Sequence, residues 1–301
     1  MRYLPVLLVI LFVAGCDSTS SSDEPANRFR ITLDVDGLVP LQDGFRYQVW
    51  AMVDNTPVGS TVFNVNENGQ FVNNLGQIVS RTLSMSANVA RATTVMVTIN
   101  GKTDSGTVPS NRVLMAGDVD NGGVTLSVDH PLALGAELGG PFTGAFQLAT
   151  PSDTNPNNEL GGLWFGTGQG AQLQPTLDLP ELPSQWIYEG WISLSDGTVF
   201  STGKFSRGDR FDESNPHSFQ DVPLVPGEDF LLDPPAGVTF PPDFSGAAVF
   251  VTVEMAEDDN RSTPFAVRLL EGSVPASPQP RTPYALQSST SVPGGSAEFS
   301  L

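Results

Sequence analysis

Apolar and polar residues alternate along most of this chain with the period of a strand. Phe29-Arg30-Ile31-Thr32-Leu33-Asp34-Val35 is the plainest case and predicts a half-buried strand. Tyr47 to Val53 predicts a second strand, and Asp54-Asn55-Thr56-Pro57 a turn into Val58–Val65. Further on, Asp196-Gly197 between Trp191–Leu194 and Thr198–Phe205 carries a hairpin signal. Val95–Ile99, Val124–Val128 and Ala248–Val253 also read as strands. With 30 glycines and 25 prolines scattered between these short runs, long helices are excluded; a short one is expected only over Leu83–Ala92. The pattern predicts an all-β chain.

The strands come as two copies of one set. Phe45, Tyr47 and Trp50 meet Trp186, Tyr188 and Trp191 at a constant offset, and one residue inserted before the turn then brings Phe63 onto Phe205. In the same order, Val95–Ile99 answers Val249–Val253, Pro109 answers Pro264, and Val113–Val119 answers Arg268–Val274. Last, Gly144–Leu148 answers Ser296–Leu301. Two tandem antiparallel β-sandwich-like domains are therefore expected, at 27–150 and 160–301, joined by the polar linker 151–159.

Residues 1–15 do not fit the β pattern. After Met1-Arg2-Tyr3, the run from Leu4 to Ala14 is apolar but shorter than the roughly 20 residues that span a bilayer. Val13-Ala14-Gly15-Cys16 resembles the lipobox of bacterial lipoprotein precursors. The resemblance implies removal of a signal peptide at 1–15 and lipidation of Cys16, the only cysteine of the chain. Residues 16–26 then form a flexible tether, and the protein is held to an inner membrane, an outer membrane or the cell surface. The net charge of −19 excludes nucleic acid as a partner.

A second resemblance rests on Tyr47-Gln48-Val49-Trp50, a turn with Asp54 and Pro57, then Gly59, Phe63, Val97-Thr98-Ile99 and Pro109. The second copy repeats it with Tyr188-Glu189-Gly190-Trp191, Asp196-Gly197, Phe205, Val251-Thr252-Val253, Pro264 and Gly272. Both stretches resemble the extracellular domain of the anti-sigma-K factor (RskA-like) family. That family joins such a domain to a membrane-spanning helix and a cytoplasmic sigma-binding segment. Here a lipobox stands in their place, so no sigma factor is expected as a partner.

Few residues carry chemistry. Tyr47, Trp50, Tyr188 and Trp191 are candidates either for packing or for a surface that stacks on a glycan or peptide; within each pair the two rings should face opposite sides of the strand. Asp118, Asp120, Glu257, Asp258 and Asp259 are weak candidates to hold a metal ion, and calcium is the one cofactor they suggest. Asp209, Asp212 and Glu213 form another acidic loop cluster. The two histidines, His130 and His217, stand at unlike places in the two copies, and no zinc spacing or phosphate-binding glycine loop occurs. The residues nominate no catalytic group. The reading is a non-enzymatic envelope lipoprotein that binds, senses or scaffolds an envelope protein or glycan, with function placed in the long turns Ser206–Asp221 and Pro223–Phe244. The alternative is a lipid-tethered extracytoplasmic hydrolase acting on glycan or peptide, marked by a concave pocket holding His217 or a close carboxylate pair. A plain structural spacer is the third reading.

Overall fold

The computed structural model describes residues 29–169, 172–213, 215–219, 223–257, 263–289 and 291–300. Cys16, the signal peptide, the tether, Asp258 and Asp259 lie outside the described residues. Among the described residues there is no α-helix, and no helix is long and apolar enough to cross a membrane.

The strands of the first half are β1 (Arg30–Asp36), β2 (Arg46–Val53), β3 (Thr56–Gly59), β4 (Asn64–Val65), β5 (Phe71–Val72), β6 (Thr82–Ser84), β7 (Ala92–Asn100), β8 (Val113–Asp120) and β9 (Gly123–Ser127). Those that follow are β10 (Thr143–Leu148), β11 (Gly162–Trp164), β12 (Gly166–Thr167), β13 (Gln174–Pro175), β14 (Trp186–Ser193) and β15 (Val199–Phe205). The last five are β16 (Gly227–Asp229), β17 (Ala248–Met255), β18 (Val267–Ser273), β19 (Tyr284–Ser288) and β20 (Gly294–Ser300). They build two antiparallel eight-stranded sheets, each curling toward a barrel, ordered β3-β2-β7-β8-β9-β20-β1-β6 and β15-β14-β17-β18-β19-β10-β11-β16. Read across, the two orders match position for position, as a duplication requires.

The matching exposes an exchange. Strand β20, the last of the second copy, lies in the first sheet, with Leu33 opposite Ala297 on β1 and Val124 opposite Ala297 on β9. Strand β10, the last of the first copy, lies in the second sheet between β19 and β11. The boundary at 27–150 is corrected accordingly: β10 belongs to the second module. The stretch 151–159 is not an interdomain linker but the turn of the β10–β11 hairpin, pinned by Thr150, Asp153 and Asn158, whose Nδ2 donates to Asp153 Oδ2 at 2.7 Å. Module one is β1–β9 completed by β20, and module two is β10–β19.

Alternation sets the core. Tyr47, Val49 and Ala51 of β2 and Val95, Val97 and Ile99 of β7 point inward, as do Tyr188 and Ile192 of β14 and Val249, Val251 and Val253 of β17. Tyr47 stacks on Phe63 at 5.5 Å and donates its hydroxyl to Val39 O; Tyr188 stacks on Phe205 at 5.6 Å and donates to Pro180 O. The same tyrosine thus does the same packing in both copies.

Two local expectations fail. Leu83–Ala92 holds no helix, because Leu83 and Met85 are buried at a spacing of two, as in a strand, and the Asn88 carboxamide accepts the Ala90 N–H in a turn. Val58–Val65 is not one strand: β3 ends at Gly59, and the chain crosses to the opposite edge, where Ser60 bridges Met85. That crossing closes module one, with Ser86 N–H donating to Gly59 O at 3.0 Å and Thr61 N–H to Ser84 O at 3.3 Å.

Candidate functional site

The face of β2 and β7 turned away from the core shows what this layer looks like when neutral. Trp50 Nε1 donates to Thr98 Oγ1 at 3.1 Å, Thr98 Oγ1 to Asn100 Oδ1 at 3.1 Å, and Asn100 Nδ2 to Gln48 Oε1 at 2.5 Å. The Gln48 amide then donates to Ser60 O at 2.8 Å. Donors meet acceptors throughout, which is what burial of polar groups demands.

Module two repeats the start of this relay and ends it on a carboxyl group instead of an amide. Trp191 Nε1 donates to Thr252 Oγ1 at 2.8 Å and Thr252 Oγ1 to Glu254 Oε1 at 2.5 Å. Glu254 stands where module one has Asn100, Glu189 where it has Gln48, and Lys204 where it has Val62. All three are buried. Burial pushes the Glu254 carboxyl up to about 8, against the pull of Thr252, of the Phe265 N–H and of Lys204, and the nearby Glu189 adds to the rise. Ser201 Oγ donates to Glu189 Oε1 at 2.5 Å, and Lys204 Nζ to Met255 O at 3.3 Å.

The seam of module two differs as well. Where module one zips its edges with backbone bonds, module two places a side chain. The Asp212 carboxyl rests on Gly203, where a Cβ would fall 2.6 Å from Oδ2, and Oδ2 accepts the Gly227 N–H at 3.1 Å. Oδ1 has no hydrogen-bond partner among the described residues, although Asp212 is only 2% exposed. Burial, with Glu228 adding to it, pushes Asp212 up to about 8. Glu228 reaches about 8 for the same reason, although Ser218 Oγ donates to its Oε1. On the opposite face of β16, Asp229 rises only to about 6, because Ser152 N–H at 2.8 Å and Trp164 Nε1 at 2.6 Å donate to its two oxygens.

Beside Asp212 the seam holds a cavity of about 160 Å³ lined by Phe200, Ser201, Gly203, His217, Glu228 and Phe230, with Val199, Pro216 and Pro235. His217 Nδ1 lies 3.0 Å from Leu232 O, and since a carbonyl only accepts, Nδ1 carries the proton. Phe240 packs edge-on to the imidazole at 5.1 Å, and Phe230 lies at 5.8 Å. The proline-rich turn 231–247 is thereby nailed down through Phe240 and Phe244.

The sequence candidates fare unevenly. Tyr47, Trp50, Tyr188 and Trp191 are at most 1% exposed, so they offer no stacking surface; as expected, the tyrosines face the core and the tryptophans the other side of the sheet. Asp118 and Asp120 line an open groove of about 490 Å³ with Asp129, His130 and Glu298, whereas Glu257 is bound to Arg112 at 2.9 Å. Among the described residues no three acidic, histidine or cysteine side chains gather to hold a metal ion. Asp212 and His217 come together with Glu228 at the seam, whereas Asp229 lies on the opposite face of β16 and Glu254 in the layer of Trp191 and Thr252. The signal that finds Glu189 and Glu254 is the alignment of the copies, which sets acids against the amides of Gln48 and Asn100. Comparison with family models, with curated proteins and with solved structures finds no match.

Proposed function

We propose that this is a non-enzymatic, lipid-tethered envelope protein in which module one is a platform and module two binds a ligand at its seam. The observation that carries the reading is the asymmetry of the copies: one scaffold, zipped in module one, is opened in module two around a cavity with a histidine, a carboxyl group and phenylalanine rings. Buried acids that cost stability and have no counterpart in the sister module mark a site kept for use. In this reading Cys16 carries the lipid, and the RskA-like character describes the ancestry of the modules, without a sigma factor as partner. The test is a thermal-shift screen of the full chain in detergent against envelope glycan fragments, short peptides and small amines. A saturable stabilisation lost in Val199→Trp, which fills the cavity from its half-buried wall, supports the reading. Equal shifts in both proteins place binding elsewhere and overturn it.

The hydrolase reading is favoured by one observation, the presence of His217 and Glu228 in the same cavity. It requires turnover of a fluorogenic glycoside or ester that disappears in His217→Ala while binding at the seam survives.

A further inference from the structure

The side chains around the seam cavity are of one kind. Two of its polar groups can accept from a ligand: the Glu228 carboxyl once it gives up its proton, and the imidazole of His217, whose Nδ1 proton points to Leu232 O and leaves Nε2 bare in the neutral ring. The Ser201 hydroxyl is already spent as a donor, to Glu189 Oε1. Among the described residues no lysine or arginine lines the cavity. Phe200, Phe230 and the imidazole supply ring faces. Behind the lining, against Gly203, lies the Asp212 carboxyl, 2% exposed and with its Oδ1 unpartnered among the described residues. A neutral polar ligand would bring acceptors of its own into such a site and find few donors. A ligand that only donates, carries positive charge and tolerates ring faces satisfies the groups that line the cavity.

We propose that the seam cavity of module two is a receptor site for a small primary ammonium group, which donates to Glu228 and His217 and packs against Phe200 and Phe230. The proposal rests on the seam being the binding site and adds the class of ligand. At about 160 Å³ the cavity has room for roughly five waters, and thus for an ammonium with a short carbon chain. The titratable groups around Glu228 are Asp212, Asp229 and His217. Burial holds the Glu228 carboxyl neutral near pH 7. Docking of R–NH3⁺ therefore ionises it: the O–H bond of Glu228 breaks, one proton passes to solvent, and the ammonium keeps its own three. Proton release separates this ligand from any neutral one.

The experiment is calorimetry of the full chain in detergent at pH 7, in two buffers of different ionisation enthalpy, with butylammonium, tetramethylammonium, 1-butanol and N-acetyl-lysine amide as probes. Butylammonium is expected to bind with release of about one proton per site. In Glu228→Gln, which keeps the shape of the side chain and removes an acid held neutral, affinity falls tenfold or more and the proton release vanishes. Val199→Trp abolishes binding of every probe. N-acetyl-lysine amide binding as well as butylammonium makes a lysine side chain the natural source; its exclusion makes it a free amine. Tetramethylammonium binding as tightly as butylammonium overturns the donor role of the ammonium. Binding of 1-butanol alone overturns the ammonium assignment and leaves the seam as a binding site. If no probe binds while another ligand does so in a Val199→Trp-sensitive way, only this proposal falls; if nothing is sensitive to that substitution, the seam reading falls with it.

Discussion

Asp212, Glu228 and Glu254 are carboxyl groups held neutral by burial, each pushed up to about 8. In the unfolded chain they ionise near pH 4. Between about pH 4 and pH 8 the folded chain therefore holds protons that the unfolded chain has released, and folding takes them up. Their stabilising effect is fully present below pH 4 and is lost as the pH rises toward 8, at up to about 1.4 kcal/mol per pH unit for each group. The melting temperature of the full chain should fall steadily from pH 5 to pH 8, and Asp212→Asn with Glu228→Gln should flatten that fall. A profile that rises over this range would refute the assignment. How far these residues were legible differs from group to group. The substitution of acids for amides at Glu189 and Glu254 can be read by aligning the two copies. The burial of Asp212 and Glu228 cannot, because it is imposed by irregular turns whose residues follow no period.

Among the elements, the strands were legible wherever one face is buried and the other is not, as in β1, β2, β7 and β17. The partner of β10 and β20 was not. Both strands follow equivalent strands and fill equivalent slots, so a sequence pattern that fits one slot fits the other; only the path of the connections decides which is taken. The two are not held alike. Strand β10 buries Phe146, Gln147 and Leu148, whereas β20 buries only Ala297 and half-buries Phe299. Its hold on module one therefore comes mainly from backbone pairing, with seven residues matched on β1 and five on β9. Deletion of residues 294–301 should open the first sheet at that slot and leave two unpaired edges, which invite association. Hydrogen exchange should then show loss of protection in β1 and β9, with β10, β14 and β17 unchanged. Equal loss in both modules would show that the exchange does not confine the damage.

At the scale of the molecule the two modules are interlocked rather than strung together. Two connections cross between them, from β9 to β10 and from β19 to β20, and Arg112 adds a third tie. Its guanidinium, 5% exposed as a residue, binds Asp104 at 2.6 Å within module one and Glu257 at 2.9 Å in module two, over the ring of Phe45. The first sheet is incomplete until the last strand of the chain is in place, while the second holds all its strands between 143 and 288. Cutting the chain between β9 and β10 should therefore give unequal halves. Residues 142–301 should fold alone, with β20 free, and residues 29–141 should not fold cooperatively, lacking the strand between β9 and β1. Mixed, the two should form a one-to-one complex in which β20 enters its slot in trans, as in domain swapping. Gly295 supplies the control. It has φ +150 and lies against the backbone of Asp34, where a Cβ would meet the carbonyl oxygen at 2.1 Å. Gly295→Val in the larger fragment should leave its own fold intact and weaken the complex at least tenfold by analytical ultracentrifugation. Independent folding of residues 29–141, or association indifferent to Gly295→Val, would mean that β20 does not complete module one.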